Sequence, residues 1–165
     1  MPKLNAVRTA VPPYCLDQAS ARDFARGLFG QNIPRIERLL PIFDNAGIHK
    51  RYFSKPIEWF GLDHDAEETN QIFIETATAL GAKASRRVLN HCNIKPDEID
   101  YLIYVNTTGL ATPSIDARLI NILDLRHNIR RTPVWGLGCA GGVAGLSHAY
   151  HYALGHPKER VLVVC

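Results

Sequence analysis

Three apolar runs, YLIYVNTT (101–108), TPVWGLG (132–138) and RVLVVC (160–165), alternate with segments of helical spacing, and no other feature of the chain constrains its fold as much. The runs are apolar at successive positions rather than at every second one, as strands covered on both faces must be. The intervening segments PSIDARLINILDL and CAGGVAGLSHAYHYALG are long enough for the crossover helices that parallel strands require. The expected class is α/β: a mostly parallel, layered sheet with helices on both faces.

Upstream, DQASARDFARGLF places Ala21, Phe24, Ala25 and Leu28 on one helical face with Asp17 as N-cap. A short helix is expected over 34–46. AGIHKRYFSKPIEWF reads as an extended segment running into a loop at Pro56. Residues 66–92 form the longest helix, with Ile72, Thr76, Ala79, Leu80 and Val88 along its stripe, acids in its first turn and arginines near its end.

At 165 residues and 46% apolar, the chain has material for one core rather than two. No apolar run is long enough to span a bilayer, and the N-terminus lacks the order of a secretory signal, so a soluble cytoplasmic protein is expected. Cys15, Cys92, Cys139 and Cys165 are too scattered for a zinc site or a disulfide framework. The three other than Cys139 read as packing residues. A net charge of +3 is too small to point to nucleic acid.

The chemistry concentrates in VWGLGCAGGVAGLSHA, where a strand ends on glycines around Cys139 and a helix follows. Gly136, Gly138 and Gly141 satisfy the G-x-G-x-x-G spacing of a dinucleotide turn, but the next strand, VLVVC, carries no ribose-binding acid, and Glu159 lies at its wrong end. A second reading makes the glycines close-packing residues and Cys139 a small buried side chain. A third makes Cys139 a nucleophile, since a thiolate at the first turn of a helix is stabilised by unpaired N–H groups and the helix dipole. Bare backbone around it leaves room for a thioester carbonyl and main-chain donors, which makes acyl transfer the reaction class.

These stretches together, LGCAGGVAGLSHA, VNTTGLATPSIDARLINILDLR and RVLVVC, in that spatial setting and with the early AVPPY segment, resemble the N-terminal half of a type III polyketide synthase. These are the chalcone synthase-like members of the thiolase superfamily. The resemblance implies that residues 1–165 form the N-terminal thiolase-fold domain of a two-half, five-layered homodimeric enzyme, with the C-terminal half absent from this chain. It implies acyl-CoA and malonyl-CoA as substrates, no cofactor beyond these coenzyme A thioesters, no metal, and a pyrone, resorcinol or chalcone-like product. By position Cys139 matches the acyl-carrying nucleophile, Thr107 and Thr108 match cavity-lining residues, and Thr112 matches the residue that reaches into the partner's cavity. Lys50, Arg51 and Lys55 resemble the groups that meet coenzyme A phosphates. Ala140 after the cysteine looks like bacterial members, and the family's catalytic histidine and asparagine belong to the second half. A ketoacyl synthase of the fatty-acid initiation type and a non-catalytic half-fold are the alternatives.

His148 and His151 lie two to three turns beyond Cys139, about 13–18 Å along a helix, too far to take its proton. His49, His64, His91, His127 and His156 read as solvated groups, and the basic run RHNIRR (126–131) as a solvated connection.

Overall fold

The computed structural model describes residues 1–165, which divide into two compact units: Val11–Asp65, and Met1–Ala10 together with Ala66–Cys165.

In the first unit, strand β1 (Tyr14–Asp17) pairs antiparallel with β2 (Lys50–Phe53), Tyr14 opposite Phe53 and Asp17 opposite Lys50. Helix α1 (Gln18–Phe29) begins at the expected N-cap: Asp17 Oδ1 accepts from the Ser20 N–H at 2.8 Å and Oδ2 from its hydroxyl at 2.9 Å. Such a cap contributes about 1 kcal/mol. Of the expected apolar face Ala21 is buried, but Leu28 is exposed. The helix expected over 34–46 is two pieces, a 3-10 turn at Ile36–Arg38 and the single-turn helix α2 (Pro41–Asn45). Arg35 adopts φ +65°, and Pro41 has no N–H to continue an upstream helix and can only start a new one.

The second unit is built on helix α3 (Ala66–Cys92). Its buried residues are Gly81, Ala82, Ser85 and Leu89, so the stripe is rotated from the expected one and Ala79 faces solvent. The small side chains bring α3 close to its neighbours: a Cβ at Gly81 would lie 3.3 Å from Leu119 Cδ1 and 3.6 Å from Val164 Cγ1. Strand β3 (Tyr101–Asn106), helix α4 (Ile115–Leu123), strand β4 (Arg130–Trp135), helix α5 (Gly141–Gly155) and strand β5 (Val161–Val164) follow. The sheet is parallel in the order β4-β3-β5, Tyr104 lying opposite both Pro133 and Val164.

Side-chain alternation separates the two faces of the sheet. Leu102, Tyr104, Leu162 and Val164 join Ile115, Leu119 and Leu123 of α4 and Ala82 and Leu89 of α3 in one core. Each such aliphatic side chain, fully buried, contributes about 1.5–3 kcal/mol of transfer free energy. Ile103, Val105 and Val163 point the other way, against Gly145 of α5. Both faces are covered at β3 and β5, as their consecutive apolar runs required, but β4, at the edge of the order, departs from that expectation: Arg130, Arg131, Pro133 and Trp135 are exposed.

The run 126–131 is largely exposed, as expected of a solvated connection, but its arginines are all paired. Arg126 Nη2 donates to Asp100 Oδ1 at 2.6 Å, Arg130 meets the Tyr152 hydroxyl and Glu159, and Arg131 Nη1 donates to Asp116 Oδ2 at 2.9 Å. Asp116 is fully buried, so this last pair ties the first turn of α4 to β4. Cys15 and Cys165, expected to pack, are exposed, and Cys92 is half-buried.

Candidate active site

Strand β4 ends in a turn that only glycine accommodates comfortably: Gly136 has φ +83° and Gly138 φ +54°. The Gly136 N–H donates to Asn106 O at 3.2 Å, joining this turn to the end of β3. Cys139 then sits in a 3-10 turn, Gly138–Ala140, one turn ahead of α5 rather than inside its first turn. Within it the Ala140 N–H donates to Leu137 O at 3.2 Å, and the Gly141 N–H to Gly138 O. Two early N–H groups of this segment are thus already paired.

The two remaining readings of the glycines divide by position. Gly141 and Gly145 are packing residues, with hypothetical Cβ atoms 2.6 and 2.8 Å from the Val105 methyls. Gly136 and Gly138 shape the turn. Cys139 itself is exposed, so it is not the small buried side chain that the packing reading required.

Gly138 and Gly142 line a cavity of about 480 Å³, together with Thr107 and Thr108, Phe73 of α3 and Tyr104 of β3. Cys139, between those glycines in sequence, is not among the lining residues. The cavity lies at the carboxyl ends of β3 and β5, beside the glycine turn that follows β4, where ligands of open α/β sheets bind. Burial, with a smaller contribution from the Asp116 charge, pushes the Tyr104 hydroxyl up to about 12. Partial desolvation raises the thiol of Cys165, another lining residue, although the residue as a whole is exposed.

Thr112 is exposed on the connection leading into α4, outside that cavity. Lys50, Arg51 and Lys55 belong to the Val11–Asp65 unit. There Lys50 is exposed, while Arg51 donates to Gln18 Oε1 at 2.9 Å and lies over the Phe43 ring at 5.4 Å. His151 Nδ1 lies 2.8 Å from Ser147 O. His64 and His156 are not merely solvated, since their rings stack on Trp59 and Tyr152 at 3.7 and 4.2 Å.

Sequence reasoning missed Asn106, whose Nδ2 donates to Gly109 O at 2.7 Å and whose Oδ1 accepts from the Thr108 N–H at 2.8 Å. The asparagine in VNTTG was the available signal, because a short amide at a strand end folds the following turn back on itself.

Residues 2–165 match the model of the chalcone and stilbene synthases, N-terminal domain. A chalcone synthase-type protein of Bacillus subtilis (strain 168) is 42% identical over 164 residues, covering 96% of this chain and 45% of the relative. The crystal structure of 1,3,6,8-tetrahydroxynaphthalene synthase from Streptomyces coelicolor A3(2), a bacterial type III polyketide synthase, superimposes with TM-score 0.86 at 27% identity, covering 96% of this chain and 46% of that one. A structure of CsyB complexed with CoA-SH gives TM-score 0.82 at 27% identity, over 95% of this chain and 44% of the other. The chain therefore spans about half the length of the relatives it matches.

Proposed function

The chain belongs to the chalcone and stilbene synthases through their N-terminal domain, and from that membership we propose that it is the nucleophile-bearing half of a type III polyketide synthase. The observation that carries this reading is the exposed Cys139 on a glycine turn at the carboxyl end of a parallel sheet, flanked by two cavity-lining glycines.

Cys139, as the thiolate, attacks the carbonyl of an acyl-CoA thioester. The bond to the coenzyme A sulfur breaks, and the departing thiolate takes up a proton. Malonyl-CoA loses carbon dioxide, and the electron pair left on its methylene carbon attacks the acyl group, expelling the Cys139 thiolate. Reloading and repetition extend the chain before it cyclises to a pyrone, resorcinol or chalcone-like product. A histidine and an asparagine from the other half of the protein stabilise the thioester oxygen and the enolate.

Thr107 and Thr108 wall the cavity that receives the growing chain. Thr112, exposed and outside that cavity, reaches the partner's cavity in a homodimer. Lys50, Arg51 and Lys55 meet the coenzyme A phosphates, and a protein of similar fold, CsyB, binds CoA-SH. No helix is long and apolar enough to cross a membrane, and a cytoplasmic location suits coenzyme A substrates.

The test is acyl transfer from a radiolabelled acyl-CoA to the complete protein. Cys139→Ala is expected to lower loading by at least about a thousandfold with the fold intact; label on the variant at wild-type level overturns the assignment. Product formed from malonyl-CoA, without a malonyl-loaded carrier protein, separates this reading from a ketoacyl synthase. Iodoacetamide at pH 7 should label Cys139 well before Cys15, which is also exposed.

A further inference from the structure

The connection between β3 and α4, residues 107–114, is held by side chains at both ends although most of it is exposed. At the near end Asn70 of α3, 40 residues away in sequence, engages both main-chain groups of Leu110. Its Nδ2 donates to Leu110 O and its Oδ1 accepts from the Leu110 N–H, each at 2.9 Å. One turn further along α3, the Phe73 ring occupies the space beside Gly109, where a Cβ would lie 2.2 Å from Cδ1. Gly109 O also receives Asn106 Nδ2 at 2.7 Å and Trp135 Nε1 at 3.3 Å. At the far end Arg118 Nε donates to Pro113 O at 3.2 Å, and Arg131 Nη1 to Ser114 Oγ at 3.2 Å.

An exposed loop needs none of this to satisfy its own backbone, because water would serve. Asn106 also uses both donor and acceptor of its amide, but locally and on two residues, Gly109 and Thr108; Asn70 closes both bonds on the single residue Leu110 from another element, which fixes the orientation of its peptide groups as well as their position. Helix α3 is thereby registered against the segment that carries Thr107 and Thr108 into the cavity.

We infer that Asn70 is a positioning residue that sets the cavity wall at Thr107 and Thr108, and so the length to which the bound chain is extended. This rests on the synthase reading above. Asn70 acts on the wall and not on the thiol, so it governs extension after Cys139 has been loaded. Removing one hydrogen bond of the pair loosens the wall, and removing both frees it.

The experiment uses the complete protein with radiolabelled acyl-CoA and malonyl-CoA, comparing wild type, Asn70→Asp, which keeps the acceptor and loses the donor, and Asn70→Ala, which loses both. Loading of Cys139 in the absence of malonyl-CoA, and extension per loaded cysteine in its presence, are read separately, with the product-length distribution by mass spectrometry. Loading per folded protein is expected to stay within about twofold of wild type. Extension per loaded cysteine falls about tenfold in Asn70→Ala, in line with two lost hydrogen bonds, and at least as far in Asn70→Asp, whose second carboxylate oxygen replaces the donor and faces Leu110 O, with a broader length distribution in both. A residue that served only stability would lower loading and extension together through the folded fraction and leave their ratio and the product lengths unchanged, and that result overturns the inference. Absence of loading in the wild type overturns the synthase reading itself, which distinguishes the two failures.

Discussion

Val105 of β3 is seated between Gly141 and Gly145 of α5: a Cβ at the first would lie 2.6 Å from Val105 Cγ1, and at the second 2.8 Å from Cγ2. One β-branched side chain thus fixes both the approach and the axial position of the helix. Cys139 lies two residues before Gly141, so the position of the thiol follows from this contact between helix and sheet.

Gly145→Ala tests that seat. Alanine gains about 1 kcal/mol in helix propensity, but its methyl meets Val105 at 2.8 Å and Val163 Cγ1 at 3.3 Å, and neither stiff side chain can swing away. Overpacking of this kind costs about 1–3 kcal/mol, so the expected net is a loss of up to about 2 kcal/mol in chemical denaturation. Val105→Ala combined with Gly145→Ala should be more stable than the two separate losses add up to, by about 1 kcal/mol.

Arg131→Met tests the buried ion pair. Asp116 is fully buried, and its Oδ1 has no hydrogen-bond partner even with Arg131 in place. Removing one partner of a buried pair costs about 3–5 kcal/mol; Arg131 is 45% exposed, so water reaches its end and the expected loss is nearer about 2–3 kcal/mol. Asp116→Asn, which removes the charge and not the volume, should cost less. A smaller loss for Arg131→Met than for Asp116→Asn, measured by urea denaturation, contradicts this account.

Strands β3 and β5 were legible from sequence because strands buried on both faces have little choice of composition. YLIYVN, the core of β3, could hardly be anything else. The turn at Cys139 was legible for a similar reason, since positive φ at Gly136 and Gly138 demands the glycines that stand there. What failed was governed by partners distant in the chain. The rotated stripe of α3 depends on Leu119 and Val164 receiving Gly81, and the pairing of Arg131 depends on an aspartate brought to it by a crossover. Strand β1 escaped notice because YCLD has no alternation, and its pairing with KRYF is decided more than thirty residues later. The brace from Asn70 to Leu110 is of the same kind: nothing in TNQIF predicts a partner 40 residues on.

Alkaline pH provides a test of the core beneath the cavity. The Tyr104 hydroxyl, 7% exposed as a residue, ionises at about 12 where an ordinary tyrosine does so near 10, chiefly because burial disfavours the phenolate and secondarily because Asp116 repels it. Between these values the folded protein holds a proton that the unfolded chain releases. The associated stability is therefore fully present below about pH 10 and is lost as pH rises through about 12. Two pH units correspond to about 2–3 kcal/mol. Urea midpoints of the wild type should fall across this window more steeply than those of Tyr104→Phe, which has no proton to lose, and the phenolate absorbance titration of the folded wild type should contain one late tyrosine missing from the variant. Parallel stability curves for the two proteins between pH 9.5 and 12 would mean that water reaches the hydroxyl and that the strand is less enclosed than its packing indicates.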